Sequence, residues 1–170
     1  VSSISPVYNA AIKKAGINAS DLEAIAVTYG PGLAGSLNVG LNFAQGLATG
    51  LAIPLLGVNH MEAHVQACWI GCDREETPLL PAICLVVSGG HTDLTLMRED
   101  GRHYLLGRTR DDAAGEAFDK VARVLGLGFP GGPAIEEAAA KSDHAGQRAY
   151  TLPLAWLKGS YDFSFSGVKT

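Results

Sequence analysis

Two histidines four positions apart form a closely spaced pair of metal-binding side chains. His60 and His64 lie in the stretch Asn-His-Met-Glu-Ala-His at positions 59–64. We predict a helix over residues 60–70, which would place both imidazoles on one face with their Cβ atoms about 5–6 Å apart. That spacing suits two imidazoles that bind one divalent ion. The alternative is that one or both histidines only cap the helix or pack against it.

Glu62 lies between the two histidines, which invites comparison with the His-Glu-x-x-His helix of metalloproteases. In that helix the glutamate is the general base. Here Glu62 is two residues from each histidine, so at ~100° per residue its side chain points about 200° away from their shared face. Glu62 is therefore badly placed as a hydrolytic base.

The first part of the chain supplies the elements that must position these histidines. Its apolar runs and glycine stops predict a helix, a strand, a second helix and a second strand at residues 7–15, 25–29, 36–51 and 53–58. A strand, a helix and a strand in that order form a βαβ unit with parallel pairing. The histidine helix would begin directly after the second strand.

Residues 30–35 match the G-x-G-x-x-G spacing of a dinucleotide-binding turn. Such a turn needs an acidic residue about 20 positions later to hold a ribose, and no acidic residue occurs between Glu23 and Glu62. Pro31 also lacks an amide that a phosphate could use. We therefore interpret these glycines as a tight turn with close helix packing.

The second part of the chain predicts a strand at 82–87, a glycine turn, and a second strand that resumes at Thr92. Glycines let backbone amides approach an anionic group, and Ser88 and Thr92 add hydroxyls. A side chain at Gly89 or Gly90 would occupy the space that a ligand needs and would require an unfavourable positive φ. The alternative is a plain hairpin turn.

A further strand at 104–110 leads to a helix that we expect Asp111 and Asp112 to cap and that ends near Leu125. Asp119 lies beside its apolar stripe, which is formed by Phe118, Val121, Ala122 and Leu125. The last predicted helix covers residues 134–141, with Pro133 in its first turn. Its glycine-flanked start is a potential anion site.

Composition limits the classes of function. The 170 residues are 47% hydrophobic and carry a net charge of −4, so no global charge favours nucleic acid. Three cysteines and no secretory signal predict reduced thiols. No apolar run reaches the ~18 residues of a membrane span, and we expect a cytoplasmic protein.

A boundary between residues 78 and 79 would divide the chain into two lobes, 1–78 and 79–170.

Several motifs, in this order, resemble those of the TsaD family, also called Gcp or YgjD. They are Tyr-Gly-Pro-Gly at 29–32, Asn-His-Met-Glu-Ala-His at 59–64, Val-Ser-Gly-Gly-His-Thr at 87–92, Asp-Asp-Ala-Ala-Gly-Glu-Ala-Phe-Asp-Lys at 111–120, Phe-Pro-Gly-Gly-Pro at 129–133 and Phe-Ser-Phe-Ser-Gly-Val-Lys-Thr at 163–170. The resemblance implies an α/β protein with the two-lobed actin-like ATPase fold, here incomplete at both ends. Ala63 stands where family members commonly have glycine.

The family transfers a threonylcarbamoyl group from an adenylate to the exocyclic amine of the adenosine 3′ of the anticodon, in tRNAs that read codons beginning with A. The resemblance implies that His60 and His64 bind one divalent ion, with iron favoured and zinc possible, and that a missing closing segment supplies an aspartate ligand. It implies that the adenylate substrate, or ATP or AMP, is bound by Val86, Val87, Ser88, Gly89, Gly90, Asp119, Gly132 and Glu136. No side chain is a convincing general base.

The partners implied by the resemblance are tRNA, a TsaB-like paralogue and a TsaE-like ATPase, with no membrane. Three alternatives remain open. A related carbamoyltransferase of the same fold would differ in its acceptor. A metallopeptidase, an older interpretation of the family, is opposed by the direction of Glu62. The third is a fragment, inactive alone, with a purely structural or interaction role.

Overall fold

The computed structural model describes residues 3–72, 80–141, 155 and 157–169. It divides into two compact units, Val1–Ile70 and Gly71–Thr170. The predicted lobe boundary between residues 78 and 79 lies outside the described residues and stays a prediction. The mixed helix and strand content agrees with the predicted α/β class.

The first unit is a βαβ unit preceded by one helix and followed by another. Its elements are α1 (Ile4–Ala15), a 3-10 turn (Ala19–Asp21), β1 (Ile25–Gly30), α2 (Ala34–Leu51), β2 (Leu55–Asn59) and α3 (His60–Ala67). The strands β1 and β2 are parallel, with Ile25 opposite Leu55 and Gly30 opposite Asn59. The predicted parallel βαβ unit is confirmed, because α2 is the crossover between the two strands.

Local sequence explains where the helices of this unit begin and end. Gly16 ends α1 in the left-handed region, with φ 69°, and its amide donates to the carbonyls of Ile12 and Lys13. Small residues let α2 come close to the strands, so Ala44 and Ala48 are the buried residues of this helix. The rings of Tyr8 and Phe43 meet edge to face between α1 and α2, with centroids 5.6 Å apart.

The second unit contains an antiparallel sheet and two helices. Its elements are β3 (Ala82–Val87), β4 (Thr92–Met97), β5 (His103–Arg108), α4 (Ala114–Val124), α5 (Gly131–Ala140) and a 3-10 turn (Ser166–Lys169). The strand order is β3-β4-β5. The prediction of a strand, a glycine turn and a second strand is confirmed, with Val87 opposite Thr92. The last helix begins at Gly131, three residues before the predicted start, and Pro133 lies in its first turn.

The prediction that Asp111 and Asp112 cap α4 is wrong. Ala113 occupies the N-cap position, and its side chain makes no capping hydrogen bond. The helix starts later than expected, which leaves both carboxylates free to bond elsewhere. Asp112 accepts a hydrogen bond from Lys120 at 2.6 Å. Asp111 accepts hydrogen bonds from the hydroxyls of Ser164 at 2.5 Å and Ser166 at 2.8 Å.

The predicted apolar stripe of α4 is only partly buried. The buried residues of this helix are Ala117 and Ala122. Phe118 and Leu125, which the periodicity placed in the stripe, are 49% and 61% exposed. Small residues therefore make the close contacts of α4, and the large apolar side chains lie at the surface of this unit.

Residues 160–166 form a strap that runs beside the end of β5. The amide of Phe163 donates to the carbonyl of Arg108 at 3.0 Å, and the amide of Arg110 donates to the carbonyl of Phe163 at 2.9 Å. A Cβ at position 107 would overlap the carbonyl of Tyr161, so only glycine fits there. The strap therefore depends on Gly107 and on main-chain hydrogen bonds.

No helix within the described ranges combines the length and the apolar composition that a membrane crossing requires.

Candidate functional site

The histidine pair is formed by the first and fifth residues of α3. The ring atoms His60 Nε2 and His64 Nε2 are 3.1 Å apart, and the two rings meet at 70° with centroids 4.5 Å apart. The predicted helix is confirmed over His60–Ala67, although it ends before Ile70. The i and i+4 spacing therefore brings two nitrogen donors to one point, as predicted.

The separation of these nitrogens fits a shared metal ion. Two imidazoles at about 2.0–2.1 Å from one tetrahedral zinc ion have nitrogens about 3.3–3.4 Å apart, and the observed distance is 3.1 Å. The same distance also allows one N–H to donate to the other ring nitrogen, depending on the tautomer. Among the described residues no third His, Cys, Asp or Glu completes a metal-binding group. The described residues thus bring two imidazole nitrogens together at this point.

The end of β1, the turn after it and the start of α2 form an open groove next to His60. It has a volume of about 550 Å³ and is lined by His60, Thr28, Pro31, Gly32 and Ser36 among others. Ligands of α/β proteins commonly bind beyond the carboxyl ends of parallel strands.

The close helix packing that the sequence predicted at the glycines of residues 30–35 is wrong for Gly35, where an added Cβ would meet nothing within 4 Å.

The glycine turn between β3 and β4 is held by Ser88. The Oγ atom of Ser88 accepts hydrogen bonds from the amides of His91 at 3.0 Å and Gly90 at 3.3 Å. The hydroxyl of Ser88 donates in turn to the His91 carbonyl at 3.3 Å. Ser88 is therefore engaged inside the turn. The amide of Gly89 has no hydrogen-bond partner among the described residues.

The expected positive φ at Gly89 and Gly90 is wrong. Neither residue lies in the left-handed region, and an added Cβ at either position would meet nothing within 4 Å. In the absence of a ligand, the turn therefore has room for a side chain at either position. The absence of side chains leaves open space above the turn.

The start of α4 lies directly against this turn. The amide of Ala114 donates to the hydroxyl of Thr92 at 3.0 Å, and the amide of Gly115 donates to the carbonyl of Ser88 at 3.2 Å. Thr92 is 2% exposed. A Cβ at Gly115 would lie 2.8 Å from the Ser88 carbonyl oxygen, so this position requires glycine. Sequence reasoning missed the supporting role of Thr92 and Gly115.

Asp119 connects α4 with the start of α5. Its Oδ1 atom accepts a hydrogen bond from the amide of Gly131 at 2.7 Å. A Cβ at Gly131 would lie 2.5 Å from the Asp119 Cα, so the two helices approach closely at this point. The structure thus brings Asp119 next to the Gly131–Gly132 segment. The Oδ2 atom of Asp119 has no partner within the described residues.

The other predicted substrate residues lie on the same unit. Val86 and Val87 end β3, and Val87 faces solvent. Gly132 follows Gly131 in the first turn of α5, where an added Cβ would meet nothing within 4 Å. Glu136 is exposed one turn further along α5. Their roles toward a ligand stay predictions.

Among the described residues of the second unit, three charged groups have displaced pKa values. Burial alone would raise the pKa of Asp111, but hydrogen bonds from Ser164, Phe165 and Ser166 outweigh it and hold that pKa well below its ordinary value. The carboxylates of Asp112 and Glu116 raise the pKa of Lys120 well above its ordinary value by hydrogen bonding to it. The Lys120–Asp112 contact ties α4 to the segment before it, and the Asp111 contacts tie that segment to residues 164–166.

Asp162 is the third group. Hydrogen bonds from the amide of Arg108 and from the guanidinium of Arg110 lower the pKa of Asp162 to about 2. The Arg110 Nε to Asp162 Oδ2 distance is 2.8 Å. This carboxylate therefore stabilises the strap in its ionised form.

Comparison with known proteins identifies the relatives of this chain. The family model of TsaD, described as tRNA N6-adenosine threonylcarbamoyltransferase, matches residues 1–170. The tRNA N6-adenosine threonylcarbamoyltransferase of Thermomicrobium roseum is 58% identical over 100% of this chain and 47% of its own length. That of Dehalococcoides mccartyi is 54% identical over 99% of this chain and 49% of its own length.

A solved structure, YeaZ from Pseudomonas aeruginosa, has a TM-score of 0.43 and 22% identity over 59% of this chain and 47% of its own. The chain spans about half the length of the curated relatives it matches. With a family match along the whole of its sequence, the chain belongs to the TsaD family.

Proposed function

We propose that this chain carries part of the site with which the whole protein transfers a threonylcarbamoyl group to tRNA. The observation that carries the proposal is the convergence of His60 Nε2 and His64 Nε2 to 3.1 Å in a chain of the TsaD family. The donor would be threonylcarbamoyl-adenylate. The acceptor would be the exocyclic amine of the adenosine 3′ of the anticodon in tRNAs that read codons beginning with A.

In this reaction the amine nitrogen attacks the carbamoyl carbonyl carbon and a new C–N bond forms. The bond from that carbon to the phosphate oxygen breaks, AMP leaves, and the amine loses one proton. No described side chain is assigned as the base that takes it. The requirements on the protein are to hold the adenylate, to exclude water from its reactive carbonyl and to orient the amine.

His60 and His64 would hold one divalent ion, with iron(II) favoured and zinc possible. Such an ion, when bound, supplies a Lewis acid that stabilises charge on the carbonyl oxygen. Two protein ligands are fewer than the three or four of typical sites. We therefore propose that the remaining protein ligand comes from a part of the protein beyond the described residues, and that this chain alone binds the ion weakly.

The glycine turn and Asp119 would bind the adenylate. The unpartnered amide of Gly89 and the open space above Gly89 and Gly90 support contact with the acyl-phosphate end. The Oδ2 atom of Asp119 supports a hydrogen bond to a ribose hydroxyl or to the adenine, since Oδ1 is engaged with Gly131. Val86, Val87, Gly132 and Glu136 would complete the contacts to the nucleotide.

The partners proposed with this function are tRNA, a TsaB-like paralogue and a TsaE-like ATPase, in the cytoplasm. They rest on membership of the TsaD family. The net charge of −4 gives this chain no strong attraction for RNA by itself. A complex in which a partner shares the tRNA contacts fits that charge better than a lone chain does.

The test uses the full-length protein with its partners, tRNA and threonylcarbamoyl-adenylate, and measures the modified nucleoside by mass spectrometry. The variant His60→Ala/His64→Ala should reduce both bound metal and modification at least tenfold. Glu62→Gln lies on the same helix and should leave both unchanged, because its side chain faces away from the histidines.

Three results would contradict the proposal. Undiminished metal in the double-histidine variant would remove the metal site. Peptide hydrolysis by the wild type that is lost in Glu62→Gln would favour the metallopeptidase interpretation. Transfer of the threonylcarbamoyl group to a different acceptor would favour a related carbamoyltransferase.

A further inference from the structure

We infer that Asn59 is a positioning residue for the histidine pair, because it holds His60 in the first turn of α3 and so sets the affinity for a metal ion. The inference rests on the proposed function, since it requires an ion at His60 and His64. It assigns no contact between Asn59 and the ion.

Asn59 joins a strand to a helix at a single residue. It is the last residue of β2, opposite Gly30 of β1. Its backbone is extended, with φ −76° and ψ 128°, and its Oδ1 atom accepts hydrogen bonds from the amides of Met61 at 2.9 Å and Glu62 at 3.4 Å. These are first-turn amides that no helix carbonyl can satisfy. Asn59 therefore fixes where α3 begins.

The helix is short and little of it is fully buried. It is 8 residues long, and Val65, in its second turn, is its one buried residue. Isolated helices shorter than ~12–15 residues are marginal in water. The start of α3 therefore depends on its cap more than the start of a long, well-buried helix would.

The position of His60 turns this dependence into an effect on metal binding. His60 is the first residue of α3, whereas His64 is one turn further on, beside Val65. Unwinding of the first turn would move His60 away and leave His64 in place. The 3.1 Å separation of the two Nε2 atoms would then be lost. The free energy needed to rewind the turn would appear as weaker metal binding.

The experiment is a Co²⁺ titration of the full-length protein followed by visible absorption. Asn59→Ala should weaken Co²⁺ binding about 2- to 30-fold, the range that corresponds to the loss of an N-cap. Asn59→Ser keeps a side-chain oxygen at the cap and should bind within about twofold of the wild type. Asn59→Gln places its oxygen one carbon further out, so it should behave like the alanine variant and gives a second test if that variant does not fold.

Asp21→Ala is the matched control. At the 3-10 turn of the same unit, Asp21 Oδ2 accepts hydrogen bonds from the backbone amide of Asn18 at 2.8 Å and from its side-chain amide at 3.4 Å. Removal of the Asp21 carboxylate should leave Co²⁺ affinity unchanged even if thermal stability falls. A general loss of stability in the first unit would therefore be distinguished from a specific effect on the histidines.

Two outcomes distinguish an error in this inference from an error in the proposed metal site. If the wild type and His60→Ala/His64→Ala bind Co²⁺ alike, the proposed metal site is wrong and the inference falls with it. If the wild type binds Co²⁺ through the histidines and Asn59→Ala and Asn59→Gln bind equally well, the inference alone is wrong.

Discussion

The histidine helix and the glycine turn are built in opposite ways. The pair on α3 is made by neighbours in sequence, because the helix spacing alone brings the two Nε2 atoms to 3.1 Å. The turn at Ser88 depends on distant residues, since Gly115 at the start of α4 contacts its carbonyl. The comparison shows that the histidine pair is set within one helix, whereas the glycine turn requires two elements that approach closely.

Gly115→Val should give the largest effect. Its Cβ would lie 2.8 Å from the Ser88 carbonyl oxygen, so α4 and the turn would have to separate. We expect a loss of about 1–3 kcal/mol of unfolding free energy, as for overpacking in a core. Urea unfolding measures this. The matched control is Gly35→Val in the first unit, where an added Cβ meets nothing within 4 Å. Equal stability of the two variants would contradict the dependence of the turn on α4.

Gly90→Val should abolish adenylate binding and leave the fold intact. An added Cβ finds open space, and the φ of Gly90 is compatible with a side chain. Ser88→Ala should instead loosen the turn, with a loss of about 0.5–1.5 kcal/mol in stability and a smaller loss of binding. Calorimetric titration with a non-hydrolysable adenylate analogue, together with circular dichroism, compares the two. Unchanged binding in Gly90→Val would identify an ordinary hairpin turn.

Asp119→Ala should reduce both stability and adenylate binding, whereas Asp119→Asn should mainly reduce binding. The alanine variant leaves the amide of Gly131 without its acceptor at 2.7 Å, at a cost of about 1 kcal/mol. Asparagine keeps an oxygen for that amide and removes the charge. Thermal unfolding and adenylate titration measure the two effects. Equal melting temperatures for both variants would show that the Gly131 hydrogen bond contributes nothing.

The smallest effect should appear in acid. The folded-state pKa of Asp162 is about 2, below its ordinary value of 3.8. Folding therefore favours the ionised form, so this contribution to stability is complete above about pH 4 and is lost as the pH falls towards 2. Asp162→Asn should flatten the pH dependence of stability in that window, and urea unfolding at several pH values measures it. His60→Ala, in the other unit, should leave the pH dependence of stability in that window unchanged.

Much of the fold could be predicted because its signals are local. The parallel βαβ unit, the glycine turn and the histidine helix follow from apolar runs and glycine stops. Membership of the TsaD family agrees with the predicted actin-like fold. The α/β class and the i and i+4 pair needed no knowledge of distant contacts.

Several errors concern residues whose partners are far away in the sequence. Asp111 was expected to cap α4, but Ser164 and Ser166 lie 53 and 55 residues further on. Periodicity placed Phe118 and Ala122 together in one apolar stripe, but Ala122 is buried and Phe118 is 49% exposed. Asp119 looked like a ligand contact alone, yet its Oδ1 atom also holds Gly131. Spacing along one helix cannot reveal such partners.

The strap at residues 160–166 has a consequence for the order of folding. Its bonds to Asp111 and to β5 span 52 to 55 residues, so they close a long loop and gain no help from local structure. The strap should therefore dock after the rate-limiting barrier. Under that order, Ser166→Ala accelerates unfolding and leaves the refolding rate nearly unchanged, which the two limbs of a chevron plot would reveal. The strap would then become fixed only after the sheet and α4 of this unit have formed.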